Sequence, residues 1–157
     1  AAVVHAEGWR GAVTTMLTGH FSLDEMCHSE VALRHGVKND PSEQVVEVLR
    51  KVAERMEDVR ALLGGHPIHV NSGYRSALVN RLVGGQAHSH HLDGWAVDFV
   101  VPGHQSPLEV CRAVAASGQE FCQLIFEFGS WTHLSFHPDG GRQVLTIDRS
   151  GRREGVG

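Results

Sequence analysis

Two short stretches of the chain carry residue types that bind divalent metals. The segment "SHHLDGWAVD" at residues 89–98 places two histidines and Asp98 within ten positions, and "WTHLSF" at 131–136 adds His133. An aspartate inside an apolar run such as "WAVDFVV" is costly to bury unless something pairs with it. Two histidines and one carboxylate are a suitable ligand set for zinc, with a fourth position open to water; the alternative is that Asp98 is a strand-end acid in a salt bridge.

Strand periodicity places the two polar residues where such a site needs them. Side chains alternate between the faces of a strand, so Asp98 points away from the bulkier apolar residues of "WAVDFVV". His133 likewise faces away from Leu134 and Phe136 in "WTHLSF". The glycine-containing turn "SHHLDG" just upstream is placed to bring a histidine over the same face.

The elements that position these residues follow from periodicity and capping signals. Strand-like runs occupy 68–70, 95–101, 123–128, 131–136 and 143–147. Short loops separate the last three runs, which favours an antiparallel meander. Capping-box patterns predict helix starts at Ser22, Asp40 and Ser106. Apolar residues at three- and four-residue steps predict a central helix from Val45 that ends at Gly64-Gly65, and a shorter helix follows Ser76.

Helices come first and most strands come later, which favours an α+β fold over a repeated βαβ unit. At 157 residues the chain fits one domain. We expect an N-terminal extension over 1–20, the domain over 21–148, and a flexible polar tail over 149–157 that frays.

Composition excludes several classes of function. The net charge of -4 is spread without a basic face, which argues against a nucleic-acid partner. No apolar run reaches the roughly 18 residues of a membrane span. Three widely separated cysteines without a CxxC pair indicate neither a disulfide framework nor a cysteine zinc site. No signal peptide is visible, and we expect a monomer.

Three motifs in order resemble a known family. "SHHLDGWAVDF" is similar to the SxHxxGxAxD motif of zinc D-alanyl-D-alanine carboxypeptidases and their peptidoglycan endopeptidase relatives, the LAS-type metallopeptidases. "SGYRS" at 72–76 and "WTHLSF" resemble two further blocks of that family, and the likeness runs over about 20–137, in the layout of phage and bacterial members. It implies an α+β fold in which an antiparallel sheet carries the zinc site between flanking helices, an architecture that Hedgehog-like signalling domains share.

The resemblance assigns one zinc ion per chain to His91, Asp98 and His133. His88 and His90 are close enough in sequence to compete with His91 as the ligand. His91 is preferred because the serine and glycine of the motif then fall in register. His90 is expected to point to solvent.

The general base is where the sequence departs from the family pattern. Many relatives have an acid three residues before the third ligand, where this chain has Ser130. The nearest acid is Glu127, which a subset of the superfamily uses. A two-residue loop at Gly129-Ser130 would turn Glu127 away from the metal, whereas a three-residue loop from Phe128 would pair it with Trp131 and place it on the face of His133. We predict the three-residue loop and Glu127 as the catalytic base; the alternative is an edge-strand glutamate without a catalytic role.

Four further residues are candidates for contact with substrate. Arg75 matches a family arginine that binds substrate or stabilises the oxyanion, because a guanidinium pairs with a carboxylate by two hydrogen bonds. The alternative is a structural arginine that holds the "SGYRS" loop. Ser89, Tyr74 and Trp131 are candidates to line the cleft, although a turn serine and ordinary packing aromatics explain them equally well.

The resemblance therefore implies a zinc hydrolase that cuts peptidoglycan stem peptides, as a D-Ala-D-Ala carboxypeptidase or a DD-endopeptidase. One alternative is a phage lysin that cuts an L-alanyl-D-glutamate bond. A second is a zinc-containing module of a phage particle or cell wall without catalysis. Because the substrate lies outside the cytoplasmic membrane, we expect an extracellular or periplasmic protein that is exported or released by phage lysis.

Overall fold

A computed structural model describes residues 15–157, in which helices flank one six-stranded sheet. The helices are α1 Leu23–Cys27, α2 Glu30–His35, α3 Glu43–Leu62, α4 Ala77–Leu82 and α5 Pro107–Ala116. The strands are β1 His69–Ser72, β2 Ala96–Val100, β3 Gln123–Glu127, β4 Trp131–Ser135, β5 Gln143–Asp148 and β6 Gly151–Glu154. A 3₁₀ turn spans His90–Asp93 just before β2. The predicted α+β class is confirmed.

Most of the expected N-terminal extension, residues 1–14, lies outside the described residues. Residues 15–20 of the extension are described. Met16 forms an antiparallel bridge with Ser22, the residue that caps α1.

The five helices of residues 15–157 begin at serine caps, with one shift from the prediction. Ser22 and Ser106 form the predicted capping boxes with the acids three positions later. Helix α3 begins after Ser42, whose hydroxyl accepts from the amide of Val45, and not after Asp40. Ser42 is the residue directly before the first helical turn, where a cap side chain reaches the free amides. The capping pattern in the sequence could not decide between Asp40 and Ser42, which are two positions apart.

Strand β4 lies inside the sheet, whose order is β1-β2-β4-β3-β5-β6. It pairs antiparallel with β2 on one side and with β3 on the other. The predicted meander of the last three strands is wrong, because β5 pairs in parallel with the far side of β3. The edge of β4 that a meander would have used is therefore occupied by β2. This order makes the strands of Asp98 and His133 direct neighbours.

The apolar side of the sheet packs against α3 and α5. The buried side chains of this layer come from both helices and from the central strands: Leu49, Val52, Met56, Val110, Val114, Val97, Phe99, Leu124 and Leu134. Burying one such side chain contributes roughly 1.5–3 kcal/mol, so this layer holds the strands in register. The alternation of the strands leaves Asp98 and His133 on the opposite face.

The expected tail over 149–157 contains the strand β6, which pairs antiparallel with β5. All four β6 residues are exposed, so no alternation of apolar and polar residues marked this strand in the sequence. Among the helices of residues 15–157, none is long and apolar enough to cross a membrane.

Candidate active site

Asp98 and His133 face each other across neighbouring strands. The register of β2 and β4 sets the two residues directly opposite, and His133 Nδ1 lies 2.9 Å from Asp98 Oδ1. Both side chains are buried. The cost of burying the Asp98 carboxylate is offset by this charge-assisted hydrogen bond and by its other partners.

His91 reaches the same face from the 3₁₀ turn. Gly94 ends this turn with φ +82, a conformation that favours glycine, and a Cβ there would lie 3.2 Å from side-chain atoms of Leu49. The ring of His91 is held by a hydrogen bond of 2.7 Å from Nδ1 to the carbonyl oxygen of Gly73. Because a carbonyl oxygen only accepts, this bond places the proton of the neutral ring on Nδ1, and Nε2 of that ring carries the lone pair. That nitrogen lies 3.3 Å from Asp98 Oδ2.

The three side chains fit a divalent metal. His91, Asp98 and His133 each offer a ligand atom, and these atoms lie within 4.8 Å of one another. Within residues 15–157, Nε2 of His91 and Nε2 of His133 are buried without a hydrogen-bond partner. A histidine lone pair that faces a carboxylate oxygen at 3.3 Å repels it unless a proton or a cation lies between them. Two imidazoles and one carboxylate form a donor set typical of catalytic zinc.

Glu127 lies beside this group because the β3–β4 hairpin has a three-residue loop. Glu127 pairs with Trp131, as predicted, and this register places it on the face of His133. The loop is closed by the amide of Ser130, which donates to the carbonyl of Glu127 at 2.9 Å. Glu127 Oε1 lies 3.8 Å from His133 Nδ1. A carboxylate therefore lies beside the metal group even though this chain has Ser130 where many relatives have their acid.

Arg75 is held against the metal group by three side chains of the protein. Its Nη2 lies 3.4 Å from Asp98 Oδ2, its Nε donates to Ser72 Oγ at 3.2 Å, and its Nη1 donates to Asn80 Oδ1 at 3.2 Å. The guanidinium is mostly buried. The contacts fix the orientation of its plane, which is the requirement for bidentate recognition of a carboxylate.

Burial and neighbouring charges shift the pKa values of Asp98 and Glu127 in opposite directions. Burial alone would raise the pKa of Asp98, but the His91 and His133 rings outweigh it and hold that pKa below its ordinary range. Burial, and then the charge of Asp98, raise the pKa of Glu127, and His133 and Arg75 only partly oppose them. A glutamate with a raised pKa is better matched to proton transfer near neutral pH.

Comparison of the sequence with protein-family models shows which family the chain belongs to. A family model described as peptidase M15 matches residues 19–135. The chain belongs to the peptidase M15 family. Enzymes of this family are zinc-dependent peptidases, and in this M15 peptidase the buried group of His91, Asp98 and His133 is able to hold the ion. A comparison with curated proteins found no match.

The other predicted contact residues of the M15 peptidase have different surroundings. Ser89 caps the 3₁₀ turn, and its hydroxyl accepts from the amide of His91 at 3.2 Å. Tyr74 packs against the hydrophobic core. Trp131 lies on the face of Glu127, with its ring centroid 5.8 Å from that of exposed Phe128.

The prediction that His90 points to solvent is wrong. Its Nδ1 lies 2.6 Å from Ser135 Oγ, and its ring stacks on His137 with centroids 4.5 Å apart. Of its neighbours in sequence, His88 is exposed and His91 is buried, so the preference for His91 as the candidate ligand agrees with the burial of the three rings.

Three residues that hold the site in the M15 peptidase were not predicted. Asn80 and Ser72 orient Arg75, and the carbonyl of Gly73 orients His91. Each acts across a turn or between segments far apart in sequence, so no periodic spacing marks it. The sequence carried no clear signal for them, since the burial of Asn80, which requires partners for its amide, is seen only in the structure.

Proposed function

We propose that this M15 peptidase hydrolyses peptide bonds of peptidoglycan stem peptides, as a D-Ala-D-Ala carboxypeptidase or a DD-endopeptidase. One observation carries the proposal: the buried group of His91, Asp98 and His133 has a carboxylate, Glu127, 3.8 Å from one of its members. A metal group with an adjacent base is the arrangement that peptide hydrolysis requires.

In the proposed mechanism His91, Asp98 and His133 hold one zinc ion. When bound there, zinc supplies Lewis-acid polarisation of the scissile carbonyl and lowers the pKa of water to about 7. Glu127 accepts the proton of the attacking water and returns it to the leaving amine. The hydrogen bond from His91 to Gly73 keeps the ring in the orientation that presents Nε2 to the ion.

Arg75 is proposed to bind a carboxylate of the substrate. Stem peptides carry terminal and side-chain carboxylates, and the guanidinium lies beside the metal group with its plane fixed. Since Arg75 also contacts Asp98, its replacement would act on both binding and metal retention. Ser89 and Trp131 are proposed to line the cleft beside it, and Tyr74 to support the loop that carries Arg75.

The site of action follows from the substrate. We propose that the enzyme works outside the cytoplasmic membrane, after export or after release by phage lysis, and that it belongs to the phage and bacterial branch suggested by its motifs. The proposed active form is a monomer.

Glu127→Gln tests the catalytic role, because it preserves shape and removes the base. General acid–base catalysis contributes about 10²- to 10⁴-fold, so turnover of purified muropeptides should fall by that factor while zinc content is retained. Glu120→Gln is the matched control, since the Glu120 side chain is 91% exposed. Unchanged turnover in Glu127→Gln would refute the assignment of the base.

Mass spectrometry of the digestion products identifies the bond that is cut. Release of terminal D-alanine indicates a carboxypeptidase, and separation of cross-linked dimers indicates a DD-endopeptidase. New N-terminal D-glutamate would instead identify an L-alanyl-D-glutamate lysin. A zinc-loaded wild type that cleaves no murein fragment would refute the enzymatic proposal and favour a binding module.

Arg75 is tested with paired substrates. Wild type should prefer a peptide with a free carboxylate over its amide, and Arg75→Lys should lose most of this preference through a higher KM. Zinc content must be measured in the same sample, because Arg75 also contacts Asp98. A preference that survives in a zinc-loaded variant would show that Arg75 acts only on the loop.

A further inference from the structure

The side chain of His90 joins the two elements that carry the candidate histidine ligands. His90 precedes His91 in the 3₁₀ turn, and its Nδ1 lies 2.6 Å from Ser135 Oγ. Ser135 follows His133 by two residues on β4, so both side chains lie on the same face of that strand. Among residues 15–157, the bond between His90 and Ser135 is the one side-chain hydrogen bond between the 3₁₀ turn and β4.

Ser135 is completely buried, so its hydroxyl depends on protein partners. The amide of His137 donates to Ser135 Oγ at 3.3 Å. A serine hydroxyl has one proton and two lone pairs, so it pairs with Nδ1 of His90 in either tautomer of that ring.

The ring of His90 is also fixed by stacking and by its backbone. It stacks on His137 at a centroid distance of 4.5 Å and an interplanar angle of 15°. The rings of Trp95 and His137 are steeply inclined, with centroids 6.2 Å apart, and the amide of Trp95 donates to the carbonyl of His90 at 3.0 Å. The imidazole of His90 is thus held by a hydrogen bond at Nδ1 and by stacking on its face.

His91 is held on its other side by the segment that follows β1. Its Nδ1 donates to the carbonyl of Gly73, and its carbonyl accepts from the amide of Arg75 at 3.0 Å. These bonds tie the 3₁₀ turn to the segment after β1, but they do not reach β4. The ring of His133 on β4 lies with its centroid 5.2 Å from that of His91. The bond between His90 and Ser135 supplies the missing connection.

We propose that His90 is a positioning residue that ties the 3₁₀ turn to β4 and thereby sets the spacing between His91 and His133 before the metal binds. The inference rests on the proposed zinc site. Without the tie, the turn must be ordered against β4 each time an ion binds, which lowers the affinity. Partners that orient metal ligands are typically worth about 10- to 100-fold in metal affinity.

The test compares zinc affinities measured by competition with a chromophoric chelator. His90→Phe keeps an aromatic ring for stacking and removes the hydrogen bond, and Ser135→Ala removes the same bond from the other side. Each should weaken zinc binding about 10-fold or more. The double variant should lose no more than the larger single loss, because both changes remove one interaction.

Two further variants separate positioning from general structure. His90→Asn places a hydrogen-bonding atom near the position of Nδ1 and should recover most of the zinc affinity. His88→Phe is the matched control, since His88 is exposed two residues away and should bind zinc as wild type does. Urea unfolding of the metal-free proteins confirms that each is folded under the conditions of the titration.

The outcomes distinguish this inference from the proposed function. If wild type binds zinc and both His90→Phe and Ser135→Ala bind it equally well, the positioning role is refuted while the metal site stands. Additive losses in the double variant, or no recovery in His90→Asn, would also refute a role through the shared hydrogen bond. If wild type itself binds no zinc, both proposals fail together.

Discussion

Replacing Gly73 with alanine tests how the turn next to the site is built. A Cβ at residue 73 would overlap the carbonyl oxygen of Met26 and would lie 3.0 Å from its carbonyl carbon. The side chain of Met26 is completely buried, so its backbone is not free to move away. Residue 73 must move instead, and it carries the carbonyl that accepts from His91.

The magnitude follows from the contacts that would change. Overpacking against a fixed neighbour costs about 1–3 kcal/mol. The hydrogen bond of 2.7 Å from the amide of Tyr74 to the carbonyl of Met26 lies at the same point, and its loss costs about 1 kcal/mol. Gly73→Ala should therefore lower the free energy of unfolding by about 2–4 kcal/mol, which is a large share of the stability of a small domain.

Zinc affinity provides a second measurement of the same change. Since the carbonyl of Gly73 orients His91, its displacement should weaken zinc binding about 10-fold or more. Urea unfolding of the metal-free protein and chelator competition measure the two effects separately. Gly118→Ala is the matched control, because Gly118 has an ordinary φ and open space at its Cβ position. A Gly73→Ala protein as stable as the Gly118→Ala protein and with wild-type zinc affinity would refute the reasoning.

Three further predictions concern stability and thiol chemistry. Asn39→Ala removes hydrogen bonds to two carbonyls and one amide around the "SGYRS" loop, so urea unfolding should show a loss of about 2–4 kcal/mol; a loss below 1 kcal/mol would contradict this. Ser106→Ala removes the cap of α5 and should cost about 1 kcal/mol in the same assay, with a wild-type curve as the contrary result. Burial, with Asp24 and Asp40, raises the pKa of Cys27 to about 12, so a thiol reagent at pH 8 should label Cys27 far more slowly in the folded protein than in urea. Equal rates in the two states would contradict it.

Local patterns in the sequence were sufficient to predict which strand face each site residue occupies and how the β3–β4 hairpin pairs. Strand alternation placed Asp98 and His133 on faces that could meet, and loop parity predicted the pairing of Glu127 with Trp131. Both follow from the two-residue period of a strand, which depends only on nearby residues. The capping boxes at Ser22 and Ser106 were predictable for the same reason.

The strand order and the supporting contacts were not predictable in this way. Whether β4 pairs with β2 or with β5 depends on competition between distant segments, and short loops favoured the wrong answer. The orientation of His90 depends on Ser135, which is 45 residues away in sequence. The contacts that orient Arg75 likewise require Asn80 and Asp98, and these residues come together only in the folded chain.

Zinc stoichiometry is the measurement that tests the central claim most directly. Wild-type protein dialysed against zinc and analysed by atomic emission should contain one ion per chain, because three buried ligand groups converge at one point. His91→Ala and His133→Ala should each lose the ion, while His88→Ala, altered at an exposed histidine of the same segment, should retain it. Wild type without zinc after loading, or His91→Ala and His133→Ala variants that keep it in full, would contradict the account.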